Sequence, residues 1–273
     1  MKVVIVFYVI KKYKLMLSSI KSLFGKLFSK KNTQRPVQRS DIKSVEPNSV
    51  VILVPVGHHI EPAVDESLRK LESFGYTVWR KYGWSAIDQG RCAMAQEALD
   101  AGFEHLVWID ADVAFWPYDV KKIVSYGLPF VSAPYSVKGW PVLTTQFKSQ
   151  NVKLGEDGGI YEVNYAATGF MYTHRSVYEK MASELKMEKV KIWGGQYNVY
   201  PYFFPILIDG EYLGEDFAFC HRLKQVGVTL YSDTRIKLAH IGKYSYSYGF
   251  LDSGVKDEPS SVNYVQDENL KFS

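Results

Sequence analysis

The sequence has little cysteine. Cys92 and Cys220 are the two cysteines among 273 residues, and each falls in a segment whose pattern predicts a buried helix. A disulfide framework is therefore not expected, and a reducing compartment is the default for such a chain. Two isolated cysteines also lack the ligand spacing of a structural zinc site.

Long apolar runs are missing from the N-terminal part of the chain. The first run, residues 3–10, has eight residues, whereas a membrane-spanning helix needs roughly 20. No small-residue cleavage site follows the run, as it would in a secretory signal peptide. We therefore predict a globular protein located in the cytoplasm, consistent with 47% hydrophobic residues and no internal repeat.

Acidic residues are absent from residues 1–40, which contain ten lysines and arginines. The remaining 233 residues contain 23 basic and 29 acidic residues, so the positive charge is confined to an arm and nucleic acid is not an expected partner. Apolar residues recur in this arm every three or four positions between lysines, which predicts a basic amphipathic helix. Residues 1–31 are thus predicted to contact an anionic membrane surface. A helix packed on the rest of the protein or on a partner, or a partly disordered tail, are the alternatives.

The chain divides into four predicted segments. They are a basic arm (1–40), a polar linker with prolines (41–49), a catalytic domain (50–248) and a polar tail without a recognisable motif (249–273). From residue 50, short apolar runs alternate with amphipathic helical patterns, which predicts an α/β fold with a parallel sheet and right-handed crossovers. In such sheets, ligands bind beyond the carboxyl ends of the strands.

Two aspartates follow the third predicted strand, in the segment "LVWIDADV". Asp110 and Asp112 repel each other, so a compensating positive charge is needed to keep both ionised. Mg²⁺ or Mn²⁺ would provide that charge, since these ions prefer oxygen ligands and leave positions for phosphate and water. The pair therefore predicts a platform for a metal-bound diphosphate. The alternative is a capping pair, in which Asp112 caps the turn before Pro117 and Asp110 is exposed.

Three further features of the sequence are candidate parts of a site. Glu215 and Asp216 open a helical segment, where the N-terminus of a helix favours negative charge, and Asp216 as an ordinary cap is the alternative. His240 ends a short predicted strand and could ligate a metal, with Lys243 near a phosphate. Arg91 lies on the helix before the D-x-D strand, a position that surface arginines also occupy.

Residues 50–246 resemble the GT-A superfamily of nucleotide-sugar-dependent glycosyltransferases, and in particular its small bacterial and viral members. The matching segments occur in the family's order: "VVILVPV", "GRCAMAQEALDAGFEHLVWIDADV", "FVSAPYSVKG", "ATGFMYTHRSVYEKM", "GEDFAFCHRLKQVG" and "LAHIGKY". The resemblance implies a GT-A type α/β fold with a mostly parallel central sheet flanked by helices. A Rossmann-like nucleotide-binding half would be joined to an acceptor half.

The resemblance also implies ligands and donor-side roles. Asp112 would ligate Mn²⁺ or Mg²⁺ bound to a UDP- or GDP-sugar, with Asp110 holding the donor or the metal through water and His240 completing the metal site. The residues implied to contact the nucleotide or its phosphates are Pro55, Val56, Arg91 and Lys243. The spacing from His240 to Lys243 differs from that of some relatives.

On the acceptor side, Asp216 with Glu215 beside it would lie near the acceptor hydroxyl of a glycan or glycolipid. In inverting members an acid at this position is the general base, so the resemblance favours inversion of configuration. The aromatic and glycine-rich segment 192–206 is predicted to shape the acceptor pocket, with ordinary hydrophobic packing as the alternative.

Two other functions were weighed. An aspartate-nucleophile phosphohydrolase also places D-x-D after a strand, but it normally has Thr or Val where Ala114 stands and needs a downstream acidic pair that we do not find. A non-catalytic protein of the same fold that binds a nucleotide sugar or glycan is the second alternative. The presence of both Asp112 and Asp216 favours catalysis over binding alone.

Overall fold

The computed structural model describes residues 44–242, 245–246 and 263–265. Four sequence predictions therefore lie partly or wholly outside the described residues: the arm (1–40), the start of the linker (41–43), Lys243 and most of the tail (249–273). Within the described part of the chain, no helix is long and apolar enough to cross a bilayer.

The described residues form short helices and strands, which we number along the chain. The α-helices α1 to α5 are Pro62–Ser73, Ile87–Asp100, Pro117–Val124, Arg175–Glu184 and Glu215–Gln225. Single 3-10 turns are Pro47–Ser49, Gly155–Asp157 and Trp193–Gly195. Strands β1 to β9 are Val50–Val56, Thr77–Tyr82, His105–Ile109, Val113–Ala114, Phe130–Ser132, Thr145–Phe147, Asn151–Lys153, Ile160–Ala166 and Phe170–His174. Strands β10 to β17 are Val190–Ile192, Tyr197–Val199, Ile206–Ile208, Glu211–Leu213, Tyr231–Asp233, Ala239–Ile241, Ser245–Tyr246 and Asn263–Val265.

An eight-stranded sheet with the order β2-β1-β3-β9-β5-β14-β8-β6 lies at the centre of the fold. β8 and β9 run against the other six strands, as the pairings of each neighbour show. Apolar clusters cover both faces, and helices pack on them. The predicted α/β class with a central sheet, mostly of one direction and flanked by helices, is confirmed.

Local sequence explains the element boundaries near the start of this sheet. All seven residues of β1 are buried, as expected for a strand covered on both faces. Gly75 and Gly102 follow α1 and α2 with φ of 90° and 87°, a left-handed conformation that glycine adopts without steric cost. α3 begins at Pro117, whose fixed φ suits the first helical turn.

The antiparallel strand β9 lies between β3 and β5 and was not predicted. It pairs with β3 over the full length of both strands, from His105 opposite His174 to Ile109 opposite Phe170. Beyond the last pair, the Asp110 amide donates to the Gly169 carbonyl at 3.0 Å. The pairing therefore fixes the end of β3 and the position of Asp110 directly after it.

A small three-stranded sheet, β16-β15-β4, joins the chain after Asp112 to the segment around His240. His240 is opposite Val113, and the Ile241 amide donates to the Asp112 carbonyl at 2.7 Å. The sequence predicted a strand ending at His240, whereas β15 continues to Ile241 because this pairing extends it. His240 therefore lies at the same sheet edge as Asp110 and Asp112, at the carboxyl end of β3.

Both cysteines are buried in helices, Cys92 in α2 and Cys220 in α5. Burial raises the pKa of each thiol to about 12. Both therefore remain protonated and pack as small apolar side chains.

Candidate active site

A cleft of about 680 Å³ opens at the carboxyl ends of β1 and β3. Six of the side chains that line it carry the chemistry of interest: Pro55, Arg91, Asp110, Asp112, Lys138 and Glu215. Val56 is fully buried in the core. A larger depression of about 890 Å³, near Phe74 and Tyr118, contains none of the predicted site residues. The cleft lies where ligands bind in open α/β sheets.

Asp112 is held by two cationic or potentially cationic neighbours. Lys138 Nζ donates to its Oδ2 at 2.5 Å, and His240 Nε2 lies 3.7 Å from its Oδ1. Burial opposes ionisation, but the hydrogen bonds and charges of His240 and Lys138 outweigh it and lower the pKa of Asp112 to about 2. The carboxylate is therefore ionised at all physiological pH values and is available as a metal ligand.

His240 is oriented by the loop after β5. Its Nδ1 lies 3.0 Å from the Ser136 carbonyl oxygen, which can only accept, so Nδ1 carries the hydrogen. The ring also makes an edge contact with Tyr135, at a centroid distance of 5.1 Å. With Nδ1 fixed in this way, Nε2 faces Asp112: it donates to the carboxylate when the ring is protonated, and its lone pair is available to a metal when the ring is neutral.

Asp110 is compensated by a buried arginine. Arg91 Nη2 donates to Asp110 Oδ1 at 2.6 Å, Arg91 Nε lies 3.8 Å from Glu215 Oε1, and the arginine side chain is 2% exposed. The interpretation of Arg91 as a surface residue is therefore wrong. Within the described residues, Arg91 Nε and Nη1 have no hydrogen-bond partner. The guanidinium thus joins the D-x-D strand to the start of α5.

Gly169 stands where no side chain fits. A Cβ built on it would clash with the Tyr135 hydroxyl and come within 3.0 Å of Asp110 Oδ2. The Gly169 amide also donates to that hydroxyl at 3.2 Å. The absence of a side chain therefore lets Tyr135 pack between Asp110 and His240.

Glu215 and Asp216 occupy the first turn of α5. Asp216 Oδ1 accepts from the Phe217 amide at 2.7 Å, so the capping interpretation is partly correct, although the N-cap itself is Gly214. Burial, followed by the charge of Glu215, raises the pKa of Asp216 to about 6. Asp216 is thus a carboxylate at neutral pH and a stronger base than an ordinary aspartate.

The residues predicted as metal ligands divide into a pair and a separate aspartate. Asp112 and His240 come together, whereas Asp110 faces Arg91. Among the described residues, no group of three His, Cys, Asp or Glu ligand atoms within 4.8 Å of one another includes these three. The capping alternative for Asp112 is wrong, because the N-cap of α3 is Trp116 and no side chain bonds there. The pair fits a hard divalent cation that takes its other ligands from phosphate and water.

The aromatic segment 192–206 contains a buried part and an exposed part. Phe203 is fully buried and stacks on Phe219 at 4.3 Å, so ordinary packing explains this part. Trp193 is 49% exposed and contacts Trp84 at 4.8 Å. An exposed indole supplies a flat apolar face of the kind that sugar rings stack on.

Lys138 and Tyr135 were not singled out from the sequence as site residues. Both lie in the segment "FVSAPYSVKG", for which the resemblance to the GT-A superfamily implies no residue roles. The signal available was an isolated lysine after a strand that ends at the same edge as β3.

No protein-family model matches the sequence, and a search of curated proteins finds no significant match. Among solved structures, the protein A197 from STIV is 17% identical, with a TM-score of 0.50 over 73% of this chain and 90% of that chain. At this level of identity the likeness shows the fold.

Two other solved structures are similar over smaller parts. A glycosyltransferase involved in the glycosylation of the major capsid of PBCV-1 is 19% identical, with a TM-score of 0.26 over 47% of this chain and 62% of that chain. GalNAc-T7, solved with UDP, GalNAc and Mn²⁺, is 13% identical, with a TM-score of 0.38 over 74% of this chain and 45% of that chain. The chain thus spans less than two thirds of each, and TM-scores this low do not establish a common fold. What the comparisons establish is that this chain has the α/β fold of A197.

Proposed function

We propose that the protein is a metal-dependent glycosyltransferase of the GT-A type, which transfers a sugar from a nucleoside-diphosphate sugar to a hydroxyl acceptor. One observation carries the proposal: β4 and β15 bring His240 to Asp112 at the carboxyl end of β3. A carboxylate and an oriented imidazole at this edge of the sheet are suited to hold a cation against a diphosphate.

The donor-side residues have separable tasks. Asp112 and His240 hold the cation, and Pro55 and Arg91 line the cleft where the nucleotide would lie. When bound, Mn²⁺ or Mg²⁺ would neutralise the charge that develops on the departing diphosphate. Arg91 holds Asp110 by a 2.6 Å hydrogen bond, which positions that carboxylate for the donor ribose or sugar. Lys243, outside the described residues, stays a predicted phosphate contact.

Lys138 is a further donor-side group. Its ammonium is within hydrogen-bond distance of Asp112, and it lines the cleft. With Asp112 assigned to the cation, Lys138 would bind a phosphate oxygen of the donor, as a flexible lysine does well.

On the acceptor side, Asp216 is the general base of the proposed reaction. Its pKa of about 6 makes it ionised at neutral pH and able to accept the proton of the attacking hydroxyl. A positioned base of this kind contributes roughly 10²–10⁴ in rate. Glu215 makes Asp216 a stronger base, because the negative charge of Glu215 raises the pKa of Asp216. Direct attack with Asp216 as base gives inversion at the anomeric carbon.

The partners proposed are a UDP- or GDP-sugar donor and a glycan or glycolipid acceptor, in the cytoplasm. Residues 1–31 would hold the protein at an anionic membrane surface, beside a lipid-linked acceptor. Liposome flotation of full-length protein and of a variant without residues 1–40 tests this. Equal flotation of the two proteins would reject the membrane role of the arm.

The decisive test of the activity is a thermal-shift screen of nucleotide sugars with and without Mn²⁺. Ligands that bind the folded state raise the melting temperature, so one donor should stabilise the protein in a Mn²⁺-dependent manner. Asp112→Asn should lose this dependence. Glu162→Gln, which removes an exposed carboxylate paired with Lys148 at 3.0 Å, is the matched control and should keep it.

Turnover is measured next, as Mn²⁺-dependent hydrolysis of the donor that binds. Loss of hydrolysis in Asp216→Ala with retained donor binding would support the assigned base. Donor binding without hydrolysis or transfer in the wild type would instead indicate a non-catalytic nucleotide-sugar-binding protein. A stabilisation that is independent of Mn²⁺, or unchanged in Asp112→Asn, would contradict the proposal.

A further inference from the structure

A second group of metal-ligating side chains lies at the other end of β3. Glu104, His105 and His174 have ligand atoms that all lie within 4.8 Å of one another. In the part of the chain that the structure describes, this is the one group of three such residues with that spacing. His105 begins β3 whereas Asp110 follows its end, so the group is at the sheet edge opposite the cleft.

The sheet itself places the two imidazoles together. His105 and His174 are directly opposite each other in the β3–β9 ladder, and their ring centroids are 5.3 Å apart. Opposed residues of an antiparallel pair have close Cβ atoms. The main chain of the third member is also fixed, because the Glu104 carbonyl accepts from the Arg175 amide at 2.8 Å. The two imidazoles therefore stand on paired strands, and the exposed Glu104 side chain extends from a main chain that is fixed directly before β3.

Both histidines have an outer partner on the same ring nitrogen. His105 Nδ1 lies 2.8 Å from the Tyr172 hydroxyl, and His174 Nδ1 lies 2.8 Å from Ser176 Oγ. With Nδ1 hydrogen-bonded outwards, each Nε2 is left for a ligand, and His105 Nε2 is 4.0 Å from Glu104 Oε2. Such outer hydrogen bonds are what orient histidines in metal sites.

The His174 ring has a second possible hydrogen bond, which a metal on Nε2 would exclude. Its Nδ1 also lies 3.2 Å from the Ser176 amide, an interaction in which the ring would accept and cap α4. The hydroxyl is nearer than the amide, and donation from Nδ1 to Ser176 Oγ leaves the Nε2 lone pair free. Metal binding therefore selects one tautomer and weakens one capping bond.

We propose that Glu104, His105 and His174 bind one divalent transition-metal ion of the Zn²⁺ class, with water as the remaining ligand. Two imidazoles and one carboxylate suit Zn²⁺ and its neighbours rather than Mg²⁺ or Ca²⁺. The ion would cross-link β3 to β9, the two strands whose far ends place Asp110 beside Gly169. The site is structural, and it is independent of the cleft and of the function proposed for it.

The experiment titrates Zn²⁺ into full-length Asp112→Asn protein, in which the cleft pair is disabled, and follows binding by calorimetry and by melting temperature. We expect about one Zn²⁺ per chain and a higher melting temperature. His174→Asn removes the imidazole but keeps a residue that caps helices well, and it should weaken binding by at least ~10-fold. His221→Asn, which replaces a histidine outside the group, is the matched control and should bind as the parent does.

A second variant separates the site from folding effects. Tyr172→Phe removes only the hydroxyl that orients His105, and it should weaken Zn²⁺ binding by roughly 10-fold while the metal-free protein stays folded. Co²⁺ substitution should give visible absorption bands that His174→Asn abolishes. The proposal is overturned if Asp112→Asn protein binds no Zn²⁺, or if neither His174→Asn nor Tyr172→Phe changes the affinity.

Discussion

Lys138 Nζ lies 2.5 Å from Asp112 Oδ2, on the carboxylate that we assign to the metal. The stem of the same lysine is so close to Gly242 that a Cβ there would lie 3.2 Å from Lys138 Cδ. The ammonium thus occupies one oxygen of the carboxylate. In the proposed function, Lys138 would compete with the metal for Asp112 in the absence of donor and would bind the diphosphate when donor is present.

Replacing Lys138 by Met should therefore change metal and donor binding in opposite directions. Without donor, Mn²⁺ should bind several-fold more tightly, since a partly exposed ion pair is worth up to about 1 kcal/mol. With Mn²⁺ present, donor should bind more weakly, because a phosphate contact is lost. Mn²⁺ titration by electron paramagnetic resonance and donor titration by calorimetry measure the two effects.

The control for this pair of effects is Lys148→Met, which breaks an exposed ion pair with Glu162 at 3.0 Å and should change neither affinity. A Lys138→Met protein in which both affinities fall together would contradict the competition between lysine and metal.

Asp216→Asn should lower the rate of sugar transfer and raise the stability of the fold at neutral pH. Sugar transfer should fall by roughly 10²–10⁴, and in the wild type kcat should rise with pH as Asp216 loses its proton near pH 6. The pKa of Asp216 in the folded state is raised above the usual 3.8. Its contribution to stability is therefore complete below pH 3.8 and is lost as the pH rises through about 6.

At pH 7.5 the Asp216→Asn protein should accordingly be more stable than the wild type, by at most about 3 kcal/mol, and the difference should shrink at pH 4. Thermal melts of both proteins at the two pH values measure it. Glu188→Gln, an exposed acid, should show no such pH-dependent difference. A difference of equal size at both pH values would show that ionisation of Asp216 is not the cause.

Gly169→Ala should damage both the fold and the site. The added methyl group meets the Tyr135 ring carbon Cζ at 2.7 Å and Asp110 Oδ2 at 3.0 Å, and overpacking of this kind costs about 1–3 kcal/mol. Chemical denaturation and the Mn²⁺-dependent donor shift should both report the change. In Gly159→Ala the nearest atom, Tyr161 Cε2, is 3.7 Å away, an ordinary contact, so this variant should be close to wild type. Equal behaviour of the two variants would argue against the close packing at Gly169.

Asp233→Ala should be among the most destabilising single changes. Asp233 is fully buried, accepts from the Tyr126 hydroxyl at 2.5 Å and from Arg235 Nε at 2.8 Å, and lies 3.4 Å from Lys122 Nζ. Its removal leaves the buried Tyr126 hydroxyl without its carboxylate acceptor, at a cost of about 1–3 kcal/mol. Urea unfolding measures the loss. Glu188→Ala, at an exposed acid, should cost less than about 0.5 kcal/mol.

The sequence predicts those parts of the fold that are determined by nearby residues in the chain. The strands β1 to β3 and the helix ends at Gly75 and Gly102 follow from apolar runs and chain-stopping residues. The placement of β9 between β3 and β5 does not, because strand order is set by tertiary pairing that leaves no local pattern.

The candidate site likewise contains residues that the sequence predicts and residues that it does not. Asp112, His240 and Asp216 stood out because acids at a strand end or helix start and a histidine after a strand are visible in the sequence. The burial of Arg91 was not predictable, since arginines are mostly exposed unless paired, and its partner lies in a different element. Lys138 depends on a loop conformation that brings it to Asp112.

The pairing of β4 with β15 has a consequence for the order in which the molecule is made. β14, at Tyr231–Asp233, is the last strand of the central sheet along the chain, and His240 comes after it. During synthesis on the ribosome, every strand of the central sheet is therefore made before His240, the residue that would complete the proposed cation site. In the proposed enzyme, a chain ending just after β14 would therefore lack the imidazole of the cation site, although it contains every strand of the central sheet.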